Sequence, residues 1–425
     1  MRLNTMRRLD RWAGIPLCLL ATLWVRCLDF IHGTRPIATD RKPRRVLFLE
    51  LSEMGTTVIA EPAMRCVRDN LGAEIFFAIF ARNVESLHLI DAVPRDHILT
   101  LRDDNLWVLF ADSLRFLLWT RRNRIDAVLD LELFSRFSAL LTGLSGAPIR
   151  IGFHRFHAEG LYRGSMLTHR VSYNGHIHMA KNFLAMAHAL TATRPELPYA
   201  KIPIADHEIQ VTPATIAPEE IDAVSCLIRQ VYPDFERMRI VLLNPNSSEM
   251  LPQRRWPREN FKRLAQLLVR DRHDTLVLIT GSVAERDEAL WMEAQINHPR
   301  VRSLAGMHSL RALLPLYAIS HALVTNDSGP AHFSALTPIR SIVLFGPETP
   351  ALYASLGNTT SLTARLACSP CVTAANQKNS ACDDPVCMRI LTPERVLDAV
   401  RAALESATQP VMKLASPELQ HSELV

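Results

Sequence analysis

His321-Ala322-Leu323-Val324-Thr325-Asn326-Asp327-Ser328-Gly329-Pro330-Ala331-His332 is the stretch from which the fold is read. His321 to Thr325 has the character of a short buried strand, and Ala331 to Ala335 opens a helical stretch, so the chain turns from strand to helix across Ser328, Gly329 and Pro330. Gly329 permits close backbone approach, and Pro330 suits a first helical turn. Unpaired N–H groups at a helix start attract anions, which makes the segment a candidate site for a phosphorylated ligand. The same residues suit an ordinary turn in which Asp327 or Ser328 is the N-cap, so the surrounding sequence has to decide.

Strand-then-helix units recur on both sides of this segment. Upstream, strands are expected at 45–51, 74–79, 127–131 and 150–153, alternating with helical stretches around 58–68, 106–120 and 135–144. The pattern breaks over 196–199 and 202–218, where several prolines fall without a period, as in a connection between domains. A second series follows at 240–244, 275–280, 301–304, 322–325 and 341–345. Alternation of this kind predicts an α/β protein of two Rossmann-like halves with a ligand cleft between them, beyond the carboxyl ends of the strands. The expected divisions are a basic and apolar N-terminal segment over 1–44, a first half over 45–220, a second over 221–408 and a tail over 409–425.

The chain has 425 residues, 48% of them hydrophobic, which is globular composition with length enough for two cores. Residues 1–45 contain ten Lys/Arg against three Asp/Glu, while the remainder holds 38 against 40, so the overall charge of +5 belongs to the N-terminus. Such a distribution does not describe a nucleic-acid-binding face. The apolar run from Trp12 to Val25 is too short to span a bilayer and shows no small-residue cleavage site. Flanked by Arg7, Arg8, Arg11 and Arg26, it suits a helix lying on an anionic inner-membrane surface. A helix packed over the first domain is the other reading.

Three further constellations lie at predicted strand ends. Asn246 and Ser247 follow one strand and precede Arg254 and Arg255, whose guanidinium forks match diphosphate oxygens; a solvated basic loop is the plainer alternative. Gly281, in a turn after another strand, precedes Glu285, a carboxylate suited to ribose hydroxyls. No G-x-G-x-x-G follows a predicted strand and no Walker-type loop occurs, which disfavours a nicotinamide or flavin dehydrogenase and a P-loop enzyme. Cys368, Cys371, Cys382 and Cys387 sit in a polar loop with C-x2-C-x10-C-x4-C spacing, which fits no common zinc template well. A structural metal, a redox-dependent disulfide and free thiols all stay open. The other four cysteines stand singly in apolar contexts.

The order of these pieces resembles bacterial glycosyltransferase family 9, the heptosyltransferase-like enzymes of lipopolysaccharide core assembly, over roughly residues 45–405. It is carried by Ser52 to Gly55 with Glu61-Pro62-Ala63, Asp130-Leu131-Glu132, Gly152-Phe153, Arg254-Arg255-Trp256-Pro257, Leu304-Ala305-Gly306, Asp327 to His332, Phe345-Gly346-Pro347, the cysteine loop and Leu391 to Glu394. The resemblance implies a GT-B fold and inverting transfer of a heptose-like sugar from a nucleoside diphosphate such as ADP-heptose to a lipid-linked or surface-glycan acceptor. It implies work at the cytoplasmic face of the inner membrane, as a peripheral protein. By position, Arg254 falls where a phosphate-binding lysine is found and Glu285 where an acid contacts the ribose. Asp327, Ser328, Gly329 and His332 fall where the donor diphosphate and sugar are held, and Arg136 near a basic residue facing an anionic acceptor. No required cofactor is expected, since no Asp-x-Asp occurs to hold a metal.

One departure stands out. Family members commonly have an Asp after the glycine of the opening turn, as general base on the acceptor, whereas Gly55 is followed by Thr56. A threonine hydroxyl is no base at neutral pH. Glu53 in the same turn is the first candidate for that role and Glu132 at the neighbouring strand end the second. The change at Thr56 also motivates an alternative: a member that has lost catalysis and serves as a nucleotide-sugar-binding or scaffold protein.

Overall fold

A computed structural model describes residues 9–31, 42–133, 135–157, 161–192, 194–248, 250–373, 376 and 378–406. Among the described residues twelve strands form two six-stranded parallel sheets. The first contains β1 (Arg45–Leu49), β2 (Glu74–Phe80), β3 (Ile98–Leu101), β4 (Ala127–Asp130), β5 (Ile149–His154) and β6 (His169–Ser172), in the order β3-β2-β1-β4-β5-β6. The second contains β7 (Arg239–Asn244), β8 (Thr275–Ile279), β9 (Val301–Ser303), β10 (Ala322–Asn326), β11 (Arg340–Phe345) and β12 (Thr359–Thr363), in the order β12-β11-β10-β7-β8-β9. Each sheet therefore has the doubly wound order in which the first strand lies beside the fourth.

Central strands such as Arg45–Leu49 and Thr275–Ile279 are apolar along nearly their whole length because helices cover both faces of a parallel sheet. On one face of the first sheet Val46, Phe48, Phe77 and Ile79 pack against the helices Met54–Leu71 and Met179–Ala189. On the other, Leu47, Leu49, Phe76 and Ala78 pack against Phe116 of the helix Leu106–Arg122 and Leu141 of the helix Arg136–Leu144. Strand order reverses between β1 and β4 in one half and between β7 and β10 in the other, and the loops leaving β1, β7 and β10 line one cleft. Ligands of open α/β sheets bind at such switch points.

The two halves pack directly on each other. Ala331, Val343, Phe345, Leu352 and Tyr353 of the second half share one apolar cluster with the first. Ala214 N–H donates to Leu336 O at 2.9 Å, and Thr212 Oγ1 to Glu61 Oε1 at 2.8 Å. The helix Pro218–Val231 packs within the second half through Ile221, Val224 and Ile228. The connection thus ends just before it, a few residues ahead of the expected division at 220/221.

The N-terminal segment forms a helix over Gly14–Ile31 whose stripe of Cys18, Ala21 and Val25 packs on Ala139 and Met166. Its other face is exposed and apolar, with Leu20 62% and Trp24 61% accessible. Among the described residues no helix is long and apolar enough to cross a membrane. The basic residues before Leu9 and the tail after 406 lie outside the described residues.

Candidate active site

The turn after β1 delivers Glu53 as N-cap of the helix Met54–Leu71. Glu53, Gly55 and Thr56 line a cleft of about 1000 Å³ between the halves, together with Asn246, Ser247, Arg254, Arg255, Glu285, Asp327, Ser328, Gly329, His332 and Lys378. Thr56 Oγ1 donates to Glu53 Oε2 at 3.3 Å, so the residue in the expected base position supports the glutamate instead.

Arg254 is held in place by its neighbour. The Trp256 indole is buried and donates to Leu391 O at 2.8 Å, and its backbone N–H donates to Asn326 Oδ1 at 3.0 Å. Asn326 in turn donates to Pro245 O at 2.9 Å, tying the ends of β7 and β10 together. Arg254 Nε then lies 3.3 Å from Asp327 Oδ2, and a terminal nitrogen 3.6 Å from Glu348 Oε2. These are ion-pair contacts without hydrogen-bond geometry. Arg254 Nε, Asp327 Oδ2, Glu348 Oε2 and Ser247 Oγ are buried with no hydrogen-bond partner among the described residues. Ser247, Arg254 and Asp327 line the cleft and Glu348 lies against Arg254, and such atoms mark places for ligand atoms, because leaving buried polar groups unsatisfied costs about 1–3 kcal/mol each.

Lys378, Glu348 and Tyr353 were not anticipated. Lys378 Nζ donates to Glu53 Oε1 at 2.7 Å and lies 4.5 Å from the centroid of the Tyr353 ring. It arrives on the cysteine loop, which Phe345-Gly346-Pro347 anchors: Ser369 Oγ donates to Gly346 O at 2.6 Å, and Cys371 and Val372 N–H donate to Pro347 O at 3.0 and 2.9 Å. The motif at 345–347 thereby fixes a loop that carries a cation across the cleft to the first half.

Four carboxylates crowd the first strand end, and their partners separate them. Glu50 is buried, and burial with Glu132 and Glu53 nearby pushes its pKa well up. Burial likewise raises Glu132 and Asp130. Burial acts the same way on Glu53, but Lys378 and Arg254 overcome it and hold that group down to about 2. Glu53 alone of the four is held below the ordinary carboxylate range, and so is ionised at neutral pH. Burial pushes Glu348 up to about 7 and His332 down to about 3, so the imidazole is neutral. His332 packs against Gly55, where any Cβ would collide with its ring.

Two sequence expectations are corrected. Glu132 is buried outside the cleft lining: Oε1 accepts from Leu51 N–H, Ser52 N–H and Ser52 Oγ at 3.0, 3.0 and 2.7 Å, so it braces the turn presenting Glu53. Arg136 does not face the cleft either. Its guanidinium donates to Asp10 Oδ2 at 3.0 Å and Tyr162 O at 2.8 Å, fastening the N-terminal helix to the domain. A third difference concerns Gly329–Phe333, which is a single five-residue helical turn followed by a 3-10 turn, too short for much of a macrodipole. Gly281 does not line the cleft but brings Asn246 close, since a Cβ there would lie 2.9 Å from Asn246 Nδ2. Glu285 Oε2 accepts from Ser282 N–H at 2.6 Å and caps its turn while lining the cleft. The thiols of Cys368, Cys371, Cys382 and Cys387 are unpaired, and among the described residues no group of three or more His, Cys, Asp or Glu is arranged to hold a metal.

Comparison with known proteins agrees with this architecture. Residues 115–381 match the model of glycosyltransferase family 9 (heptosyltransferase). The chain is 27% identical over 173 residues to lipooligosaccharide heptosyltransferase 2 of Campylobacter jejuni, covering 40% of this chain and 52% of that one. It is 31% identical over 106 residues to lipopolysaccharide heptosyltransferase 2 of Salmonella typhimurium, covering 24% and 30%. The chain thus spans about half or less of the length of these relatives. Among solved structures, E. coli ADP-heptose lps heptosyltransferase II superposes with a TM-score of 0.65 at 19% identity, covering 85% of this chain and 98% of that one. E. coli heptosyltransferase WaaC with ADP gives a TM-score of 0.60 at 17% identity, covering 84% and 99%. Two parallel-sheet halves facing across a cleft are the GT-B arrangement, and with the family match extending over more than half of its length the chain belongs to glycosyltransferase family 9, the heptosyltransferase family.

Proposed function

We propose that the protein is an inverting glycosyltransferase moving a heptose-like sugar from a nucleoside diphosphate, ADP-heptose being the first candidate, to an acceptor of the lipopolysaccharide core or a related surface glycan. The observation carrying this reading is the group of buried atoms on Arg254, Asp327, Glu348 and Ser247 that make no hydrogen bond among the described residues. A nucleoside diphosphate supplies phosphate oxygens that Arg254 can hydrogen-bond, which its carboxylate contacts do not provide, and sugar hydroxyl donors for Asp327 and Glu348.

In the proposed reaction the acceptor hydroxyl attacks the anomeric carbon from the side opposite the diphosphate. Glu53 takes the hydroxyl proton as the new C–O bond forms, and the bond from the anomeric carbon to the diphosphate oxygen breaks. Arg254, Arg255 and the backbone around Ser328 and Gly329 receive the charge of the departing diphosphate. With Lys378 upon it, Glu53 is a weak base. The entering diphosphate competes for Lys378 and Arg254, so donor binding strengthens the base at the moment it is needed. Glu285 and Asn246 serve the nucleoside end. Glu53 lining the cleft also weakens the motive for a noncatalytic scaffold that Thr56 suggested.

The exposed apolar face of the helix Gly14–Ile31, with Arg11 and Arg26 exposed beside it, supports residence on the anionic inner-membrane surface, within reach of a lipid-linked acceptor. A thermal-shift screen of nucleoside diphosphates and their sugars, followed by transfer assays with the best donor, tests the proposal. A ligand at a hundred times its Kd stabilises by about 2.7 kcal/mol. No shift with any nucleoside diphosphate would overturn it.

A further inference from the structure

The helix Leu106–Arg122 is apolar on two faces, with Leu109, Phe116 and Leu117 packed inward on the first sheet. Trp107, Phe110, Leu114 and Leu118 recur at helical spacing along one stripe, and that stripe faces solvent: Trp107 is 83% and Phe110 59% exposed. Its single acidic residue, Asp112, is turned inward, where it accepts from Arg102 N–H at 2.8 Å and from the Arg102 guanidinium at 3.0 Å. Phe116 and Thr120 complete the buried side. An ordinary surface helix presents a polar face to solvent, whereas here a second apolar stripe lies there.

We infer that this outward stripe is a second membrane contact, inserting into an anionic lipid surface beside the N-terminal helix. Both helices pack on the helix Arg136–Leu144, through Cys18 and Val25 from one and through Phe116 and the Arg121-to-Leu144 hydrogen bond from the other. Their exposed apolar faces therefore lie on the same side of the first sheet, opposite the helix Met54–Leu71. Arg122 and Arg124 are exposed at the end of the stripe and supply the positive rim that an anionic headgroup layer matches. The inference rests on the peripheral membrane reading of the N-terminal helix and deepens it: two parallel contacts fix the orientation of the domain on the surface, where one helix leaves it free to roll.

The test is sedimentation of the full chain with vesicles of phosphatidylethanolamine and phosphatidylglycerol. The variant Trp107→Ser/Phe110→Ser/Leu114→Ser is expected to lower partitioning on the order of tenfold or more, since each removed side chain takes apolar area out of the acyl boundary. Unchanged nucleoside diphosphate binding by that variant shows the fold and cleft intact. If the variant is destabilised, Arg122→Glu/Arg124→Glu replaces it, with reduced binding to these vesicles and none of that loss on phosphatidylcholine. Wild-type partitioning of the variants, with loss confined to Trp12→Ser/Leu20→Ser/Trp24→Ser, would overturn the inference while leaving the N-terminal contact standing. Loss of a wild-type dimer in sedimentation velocity, with vesicle binding unchanged, would assign the face to a second copy and overturn it as well.

Discussion

Lys378→Met should uncouple the candidate base from the cation that holds it down. The wild-type carboxyl of Glu53 sits at about 2 against an ordinary 4.5, so at neutral pH its ionised form is favoured by the fold. Such a difference corresponds to about 3 kcal/mol at 1.36 kcal/mol per unit, an upper bound. Glu53 is 31% exposed, and solvent screening reduces the ion pair's share to about 1–2 kcal/mol. The sign follows from the depressed value: this stability is present above about pH 4.5 and is lost as pH falls through about 2. In the variant, burial acts without its main opponent, so the Glu53 carboxyl titrates well above its wild-type value even with Arg254 still beside it. The pH profile of kcat/KM reports the free enzyme, so its acid limb should move upward from below the working range. Affinity for the nucleoside diphosphate should fall about tenfold as one phosphate partner is lost. An acid limb that stays where it was, in a folded variant, would refute the coupling of Lys378 to Glu53.

Other expectations follow from single contacts. Gly55→Ala places a methyl group against the His332 ring at the interface between the halves, and should cost about 1–3 kcal/mol by thermal unfolding and depress turnover more than donor affinity; unchanged turnover would mean the two helices separate freely there. Burial places Glu348 at about 7 beside Arg254, so binding of an anionic diphosphate should take up a proton and weaken as pH rises through 7. Calorimetry in buffers of different ionisation heat checks this, and Glu348→Gln should flatten the dependence. Arg136→Met leaves Asp10 without its cation and should loosen the N-terminal helix, seen as faster amide exchange over 14–31, while leaving nucleoside diphosphate binding unchanged.

Much of the fold was legible because the central strands advertise themselves. A strand buried on both faces must be apolar along its length, and nine such runs were readable. The three strands without a sequence expectation, β3, β6 and β12, are all sheet edges. His169–Ser172 and Thr359–Thr363 are half-exposed and carry polar side chains, so no apolar run marks them. In the site, residues named from strand ends converge on one cleft because the fold brings switch points together. The misplacements have a common physical origin. A polar residue after a strand either faces a ligand or satisfies backbone donors, and Glu132 does the second for Leu51 and Ser52. Arg136 similarly finds a partner in a segment more than a hundred residues away. Lys378 carried no signal of its own, being one cation in a polar loop, although Phe345-Gly346-Pro347 did mark the anchor that brings it in.

The central claim is that Glu53, in place of an aspartate at 56, activates the acceptor against a donor held by Arg254 and Asp327. It is tested most directly by incubating wild-type protein and Glu53→Gln with ADP-heptose and a core-oligosaccharide acceptor, following product by mass and its anomeric configuration by NMR. The account predicts an inverted linkage from the wild type, and from Glu53→Gln a rate lower by about 10²–10⁴-fold with donor affinity retained. Turnover by Glu53→Gln at the wild-type rate would contradict it.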